Sequence, residues 1–364
     1  MNRQSISTLL ANPFVKWGLG AALVLFMAVL PLLNISIPGV LPGPTYTPGS
    51  LQLIAFAMLI ASLALSYHLI FGVAGLLSFG HALYFAAGAY GLGIALRHMQ
   101  LELIPAIVFT LAVGLIIAGA VGALSLRATG IGFAMVTLAF AQAGSVLVRR
   151  NPWGLTNGDE GLGLATAHVP DFLIGVINTK NLYWMCLIVL VIVFLITTWF
   201  EKSRAGHVVA ATRENIGRVR VIGIRPYFVQ LLTFVIAGVL ATLVGIAYML
   251  LQSSATQKII TAEFTLSLLV IVVLGGVGYR WGAVIGGIVY TFLDQRLTAL
   301  AGSDAIANLP DILRIPLSEP LFILGTLFIL VVLFLPGGIS GVALRLTRGK
   351  TGIAKERDGL EELA

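Results

Sequence analysis

Apolar residues gather along this chain in ten runs, at 17–37, 49–67, 72–96, 103–125, 131–148, 182–200, 228–250, 264–279, 282–300 and 317–335. A helix needs about 20 largely apolar residues to cross the hydrocarbon core of a bilayer. Each run is close to that length and apolar all round. The pattern therefore predicts an all-α fold, a polytopic helical membrane protein of about ten transmembrane helices. The first run follows Arg3 and Lys16 and invites comparison with a signal peptide. It lacks a clean small-residue cleavage site and nine more runs follow it, so it is taken as a span.

Polar, glycine-rich and proline-rich segments separate the runs. Pro38, Pro42, Pro44 and Pro48 stiffen the connection 34–50. The segment 149–181 is too long for a bare turn and is expected to carry short surface helices. The segment 201–227 is polar and basic. Residues 1–341 form a single membrane domain, and 342–364 form a polar tail.

Composition sharpens this picture. Charged residues are only 10% of the 364, against roughly 25% in soluble domains. With 58% hydrophobic residues, the chain cannot cover a water-facing surface. A soluble enzyme, a disordered protein and a nucleic-acid binder are excluded. The net charge of +7 then reports orientation rather than a polyanionic partner. With the N-terminus cytoplasmic, 15 of the 22 Lys and Arg fall inside, among them six within 202–225 and five within 345–357. Arg97, Arg149, Arg150, Lys180, Lys258, Arg296 and Arg314 fall outside. This bias puts both termini in the cytoplasm. The lone Cys186 can form no internal disulfide.

Four stretches hold candidate chemistry. In 201–227, Val208, Val209, Ala211, Ile216, Val219 and Ile222 recur at spacings that suit one or two short helices. Gly217 and Gly223 allow turns, and Pro226 ends the segment. A headgroup anchor and a docking helix for a soluble partner both fit. In 71–93 the glycines include Gly75 and Gly80, which suit close helix packing or a helix broken to line a cavity. Ser78 and His81, three apart, are expected on one helical face. No third carboxylate accompanies them as a hydrolase would require, which leaves hydrogen bonding between helices or a solute pathway. Gly275 and Gly276 lie at the head of the stretch 274–287, where Tyr279, Arg280 and Trp281 read as a turn with interfacial anchors. Thr137, Gln142 and Ser145 are expected to form a polar stripe facing the bundle. Glu102, Glu263 and Asp294 sit near span ends and read as interfacial. No phosphate-loop string is present, so no ATP site of its own is visible, and the five His show no metal-ligand spacing.

Several stretches resemble one family. GVAGLLSFGHALYFAAGAY at 72–90, FAMVTLAFAQ at 133–142, LTNGDEGL at 155–162, ATRENIGRVRVIGI at 211–224, VVLGGVGYRWGAVIGG at 272–287 and LFLPGGISG at 333–341 are similar, in order, to motifs of the permeases of branched-chain amino acid ABC importers. The LivM-type subunit is the nearer resemblance. It implies a type II-like ABC importer bundle in the bacterial inner membrane, without enzymatic activity or a bound cofactor. The implied partners are a homologous LivH-type permease in a heterodimer, two cytoplasmic ATPases that use ATP and Mg, and an extracytoplasmic solute-binding protein. Arg213, Glu214, Asn215, Gly217 and Gly223 would then lie in the segment coupling to the ATPase, with Glu214 near the start of a short helix. Gly75, Ser78, Gly80, His81, Thr137, Gln142, Gly275 and Gly276 would serve the translocation path or its packing. Leucine, isoleucine and valine are the expected solutes. Urea or short amides in the same family are the alternative, and an ion-coupled secondary transporter fits less well because no midplane carboxylate stands out.

Overall fold

The computed structural model describes residues 13–36, 41–301, 319–334 and 337–341. The tail 342–364, Pro38 and Arg314 lie outside the described residues. Each of the ten apolar runs carries a helix. In chain order these are α1 (Pro13–Val29), α2 (Pro48–His68), α3 (His81–Arg97), α4 (Leu103–Ser125), α5 (Ile131–Arg150) and α6 (Thr179–Lys202). Two short helices, α7 (Arg204–Glu214) and α8 (Ile216–Val221), precede α9 (Pro226–Gln252), α10 (Ala262–Gly275), α11 (Arg280–Ala301) and α12 (Pro320–Phe334). The long connection 149–181 carries a series of single 3-10 turns.

Three of the runs are not simple spans. The run 72–96 is broken: α2 continues through a π-turn, Leu69–Val73, residues 74–80 leave helical geometry, and α3 begins only at His81. Gly75 sits in the break at φ +68°, a conformation that a side chain would strain. The runs 264–279 and 282–300 form a pair, α10 and α11, bent by 118° across Gly276–Tyr279. Gly276 there has φ +115°. Among the described residues, five helical segments are long and apolar enough to cross a membrane, or six with the bent pair counted as one. They are Pro48–Val73, Leu103–Ser125, Ile131–Arg150, Val176–Lys202 and Pro226–Gln252.

Buried apolar contact holds the bundle around α2, which is enclosed by α6, α9 and α11. Lipid tails are as apolar as the core, so close packing and satisfied backbone groups decide membrane folding. Helix α3 approaches α9 nearly backbone to backbone. A Cβ built on Gly88 would run into the carbonyl of Thr242, and one on Gly245 into the carbonyl of Phe85. Next to this crossing, Phe234 of α9 meets Tyr84 of α3 and Phe133 of α5 edge-to-face, at 5.6 and 6.0 Å.

The bundle has two distinct ends. At one, the strands β1 (Leu162–Gly163) and β2 (Ser254–Ala255) pair antiparallel, with Leu162 opposite Ala255. Leu162 also packs against Gly93 of α3, and Tyr183 of α6 donates to the carbonyl of Met27 at the last turn of α1 (2.7 Å). At the other end lie α7 and α8. Gly276 meets Gly337 there, beyond the end of α12. The first described helix thus reaches the ribbon end with its final turn, and the last reaches the opposite end with its own.

Candidate functional site

Both breaks are tied to the end that carries α7. Ser203 caps this helix by accepting from the amide of Gly206 (3.1 Å). Asn215 ends it and caps α8 by accepting from the amide of Arg218 (3.1 Å). Arg213, in the last turn of α7, donates from its guanidinium to the carbonyl of Gly72 in the π-turn. Its stem fills the space over Gly75, where a built Cβ would fall 2.6 Å from Cγ of Arg213. The same guanidinium is 4.0 Å from the Cβ position of Gly278 in the second break.

Just ahead of α7, Glu201 makes the matching contact. One carboxylate oxygen lies 3.1 Å from Nε2 of His68 at the end of α2, and the other accepts from Nε of Arg280 at the start of α11 (2.9 Å). The side chain of His68 is 1% exposed and that of Glu201 20%. A charge shielded to this degree demands its partners, because the alternative is a desolvated ion. Glu201 and Arg213 therefore fasten the two ends of α7 to both breaks.

The first break also has an internal cap. An N-terminal helix end leaves unpaired N–H groups, and lipid cannot supply acceptors. Here the neighbours do. Thr137 of α5 accepts from the amide of Phe79, Ser78 from that of Gly80, and Thr265 of α10 from that of Ala82, at 3.1, 3.3 and 3.1 Å. Tyr67 donates to the carbonyl of Ser78 (2.9 Å), and Ser66 pairs with Nε2 of His81 (2.8 Å). Ser78, His81, Thr137 and Thr265 are all fully buried.

This arrangement corrects some of the sequence expectations. Ser78 lies in the break and His81 opens α3, so they share no helical face and do not bond one another. Thr137 and Ser145 face inward, whereas Gln142 is exposed on the other side of α5. Gly217 lies inside α8, and only Gly223 makes a turn, at φ +81°. Glu214 closes α7 and is exposed, one residue before the cap of α8. Gly275 ends α10 against Gly282 of α11, its Cβ position meeting the carbonyl of Gly282. Thr265, His68 and the pairing of Glu201 with Arg280 were not foreseen. A carboxylate closing the apolar run 182–200 was the available signal for the last.

Gly80 marks how tight the first break is. A Cβ there would lie 2.6 Å from the carbonyl oxygen of Thr137. Gly80→Leu is expected to push α3 off α5 and break the Thr137 cap, costing roughly 1–3 kcal/mol or more for overpacking. The thermal midpoint in detergent should fall by several degrees. A midpoint equal to that of the unmodified protein would show that the α3–α5 contact is not needed.

A family model for the permease component of branched-chain amino acid transport systems matches residues 49–335. The chain belongs to that permease family. The match takes in both breaks and the whole α7–α8 segment. Relatives include the high-affinity branched-chain amino acid transport permease BraD of Pseudomonas aeruginosa, 26% identical over 300 residues, covering 77% of this chain and 91% of that one. LivH of Escherichia coli K12 is 23% identical over 310 residues, with the same coverage. LivM of the same organism is 22% identical over 332 residues, covering 84% of this chain and 73% of its own. The permease is thus a multi-pass transmembrane protein with likeness to both permease types.

Proposed function

We propose that this permease is the LivM-type half of an ATP-driven importer for leucine, isoleucine and valine. It pairs with a LivH-type permease, and two ABC ATPases dock on α7 and α8. A solute-binding protein delivers cargo at the ribbon end. In this reading α7 lies in the cytoplasm and both termini share that side, in accord with the charge bias. The protein sits in the bacterial inner membrane.

The grip of α7 on both breaks is the observation that carries the coupling reading. ATP-driven closure of the docked ATPases moves α7, and Glu201 and Arg213 hand that motion to both breaks. Alternating access then follows from rocking of the helices that flank them. The face available for docking is apolar with basic flanks: Val221 is 88% exposed and Ile222 71%, beside Arg218 and Arg220. Val209 and Val219, by contrast, are buried and hold the segment to the bundle. ATP and Mg act in the partners.

Reconstitution of the four membrane-associated subunits with the binding protein tests the proposal. Leucine uptake should require ATP on the α7 side, and this chain alone should neither transport nor hydrolyse ATP. Saturable urea uptake that leucine does not inhibit would reassign the solute. Uptake by this chain alone on an ion gradient would overturn the importer reading. In the same assay Glu214→Arg should leave membrane insertion intact and cut leucine-stimulated ATP hydrolysis by at least tenfold, in the range expected for a desolvated charge contact of 2–5 kcal/mol. Full activity of this variant would remove Glu214 from the coupling surface.

A further inference from the structure

Helix α5 presents an unusual face to its surroundings. Met135, Ala139, Gln142 and Val146 recur at spacings of four, three and four, and all are exposed. Counting 1.5 Å per residue, Gln142 is about 16 Å from the start of α5 and about 12 Å from its end. Its amide therefore falls near the middle of the hydrocarbon layer. It makes no hydrogen bond among the described residues. An unpaired amide in an apolar medium costs several kcal/mol, so lipid is a poor environment for it. The neighbouring helix α4 shows the contrast: its outward residues Ile104, Val108, Leu115 and Ile116 are all apolar, as lipid contact favours.

A shallow, open strip of surface along this one helix is lined by Gln142, Ala143, Val146 and Leu147 and ends at Arg150 and Pro152 at the ribbon end. An apolar wall with an amide at depth and a cation at the mouth matches a zwitterion with an aliphatic side chain. Arg150 complements the carboxylate at entry. The Gln142 amide both donates and accepts, so it can serve the carboxylate or the ammonium group on passage. Small Ala139 and Ala143 leave room for the aliphatic part.

We propose that this face of α5 is the wet wall that the chain contributes to the solute path, with Gln142 the contact for the solute's polar head. The inference rests on the importer reading above and adds to it the residues that meet the solute. Cys186 is the chain's single native cysteine and is buried, so a cysteine added at the surface is read out against little labelling of the chain itself. Gln142→Cys and Val146→Cys are made in the assembled complex, with Ile116→Cys on α4 as the outward control. A membrane-impermeant thiol reagent needs a thiolate, which forms in water and not in hydrocarbon. Residues 142 and 146 should label at least about tenfold faster than 116, with leucine slowing the reaction at 142. Gln142→Leu should lower leucine uptake about tenfold while the ATPases still co-purify, and Gln142→Asn should recover part of it.

Labelling at 142 no faster than at 116 overturns the proposal and assigns the face to lipid. Protection from aqueous and lipid-soluble reagents alike, with cross-linking to the second permease, overturns it in favour of a closed protein interface. Full uptake by Gln142→Leu removes Gln142 as a solute contact. Absence of uptake and of ATPase association in the unmodified complex would instead strike the importer reading, so the two failures are told apart.

Discussion

Gly245→Leu is expected to abolish the folded permease. The Cβ of any residue at 245 would enter the carbonyl of Phe85 and come within 3.0 Å of the amide of Ala89. The obstacle is helix backbone, which has no rotamer with which to retreat. Separating α3 from α9 would also pull Gly88 from Thr242 and undo the Thr242 hydroxyl's hydrogen bond to the carbonyl of Tyr84 (3.2 Å). Overpacking a well-filled core costs roughly 1–3 kcal/mol when side chains can adjust. A backbone collision along a long crossing exceeds that and approaches the 5–15 kcal/mol that stabilises a typical fold. The measurement is the yield of monodisperse protein and its thermal midpoint in detergent. Gly119→Leu on α4 is the control, since nothing lies within 4 Å of its Cβ position. Equal yield and midpoint for the two variants would refute the contact.

The second large effect is expected at Glu201. Glu201→Leu removes the shared partner of His68 and Arg280 and leaves two groups facing an apolar methyl cluster. Breaking a fully buried pair costs about 3–5 kcal/mol. Glu201 is one-fifth exposed, and water tempers the loss to about 1–3 kcal/mol. Function should suffer more than stability, because the start of α7 would then be free of α2 and α11 while Arg213 still held its end. Under the proposed importer reading, the expected signature is ATP hydrolysis that continues but no longer drives uptake. Glu201→Arg combined with Arg280→Glu should restore part of the coupling, since the bridge between α6 and α11 returns with reversed sign. If Glu201→Leu kept the wild-type ratio of solute moved to ATP spent, the carboxylate would be only a local anchor.

These two sites show what the sequence made legible. Apolar runs betrayed each bundle helix, because helix length and hydropathy are local properties. The glycines at 72–93 announced close packing or a break, and both occur there: Gly75 and Gly80 in the break, Gly88 in the crossing. What stayed hidden depends on distant partners. The start of α3 at His81 is fixed by hydroxyls from Thr137 and Thr265, on α5 and α10, and no local pattern encodes that pairing. The facing of Gln142 was misjudged for a local reason: Thr137 and Gln142 are five residues apart, about 140° out of phase on a helix of 3.6 residues per turn. Arg280 read as an interfacial anchor because its partner, Glu201, lies beyond four intervening helices.

The ribbon at the far end bears on how the molecule is made. β1 precedes α6, whereas β2 follows α9, and the two strands pair over only two residues each. Helices α6 to α9 must all be synthesised, and α6 and α9 threaded through the bilayer, before Leu162 can find Ala255. Contacts between segments so far apart in the chain form late, since the loop must close before they contribute. The ribbon is thus a seal set near the close of assembly. Until it forms, the segment 149–181 has nothing to hold it against α9, and quality-control proteases meet it as an open strand. Resistance of that segment to brief proteolysis from the ribbon side should therefore report completed biogenesis rather than membrane insertion alone.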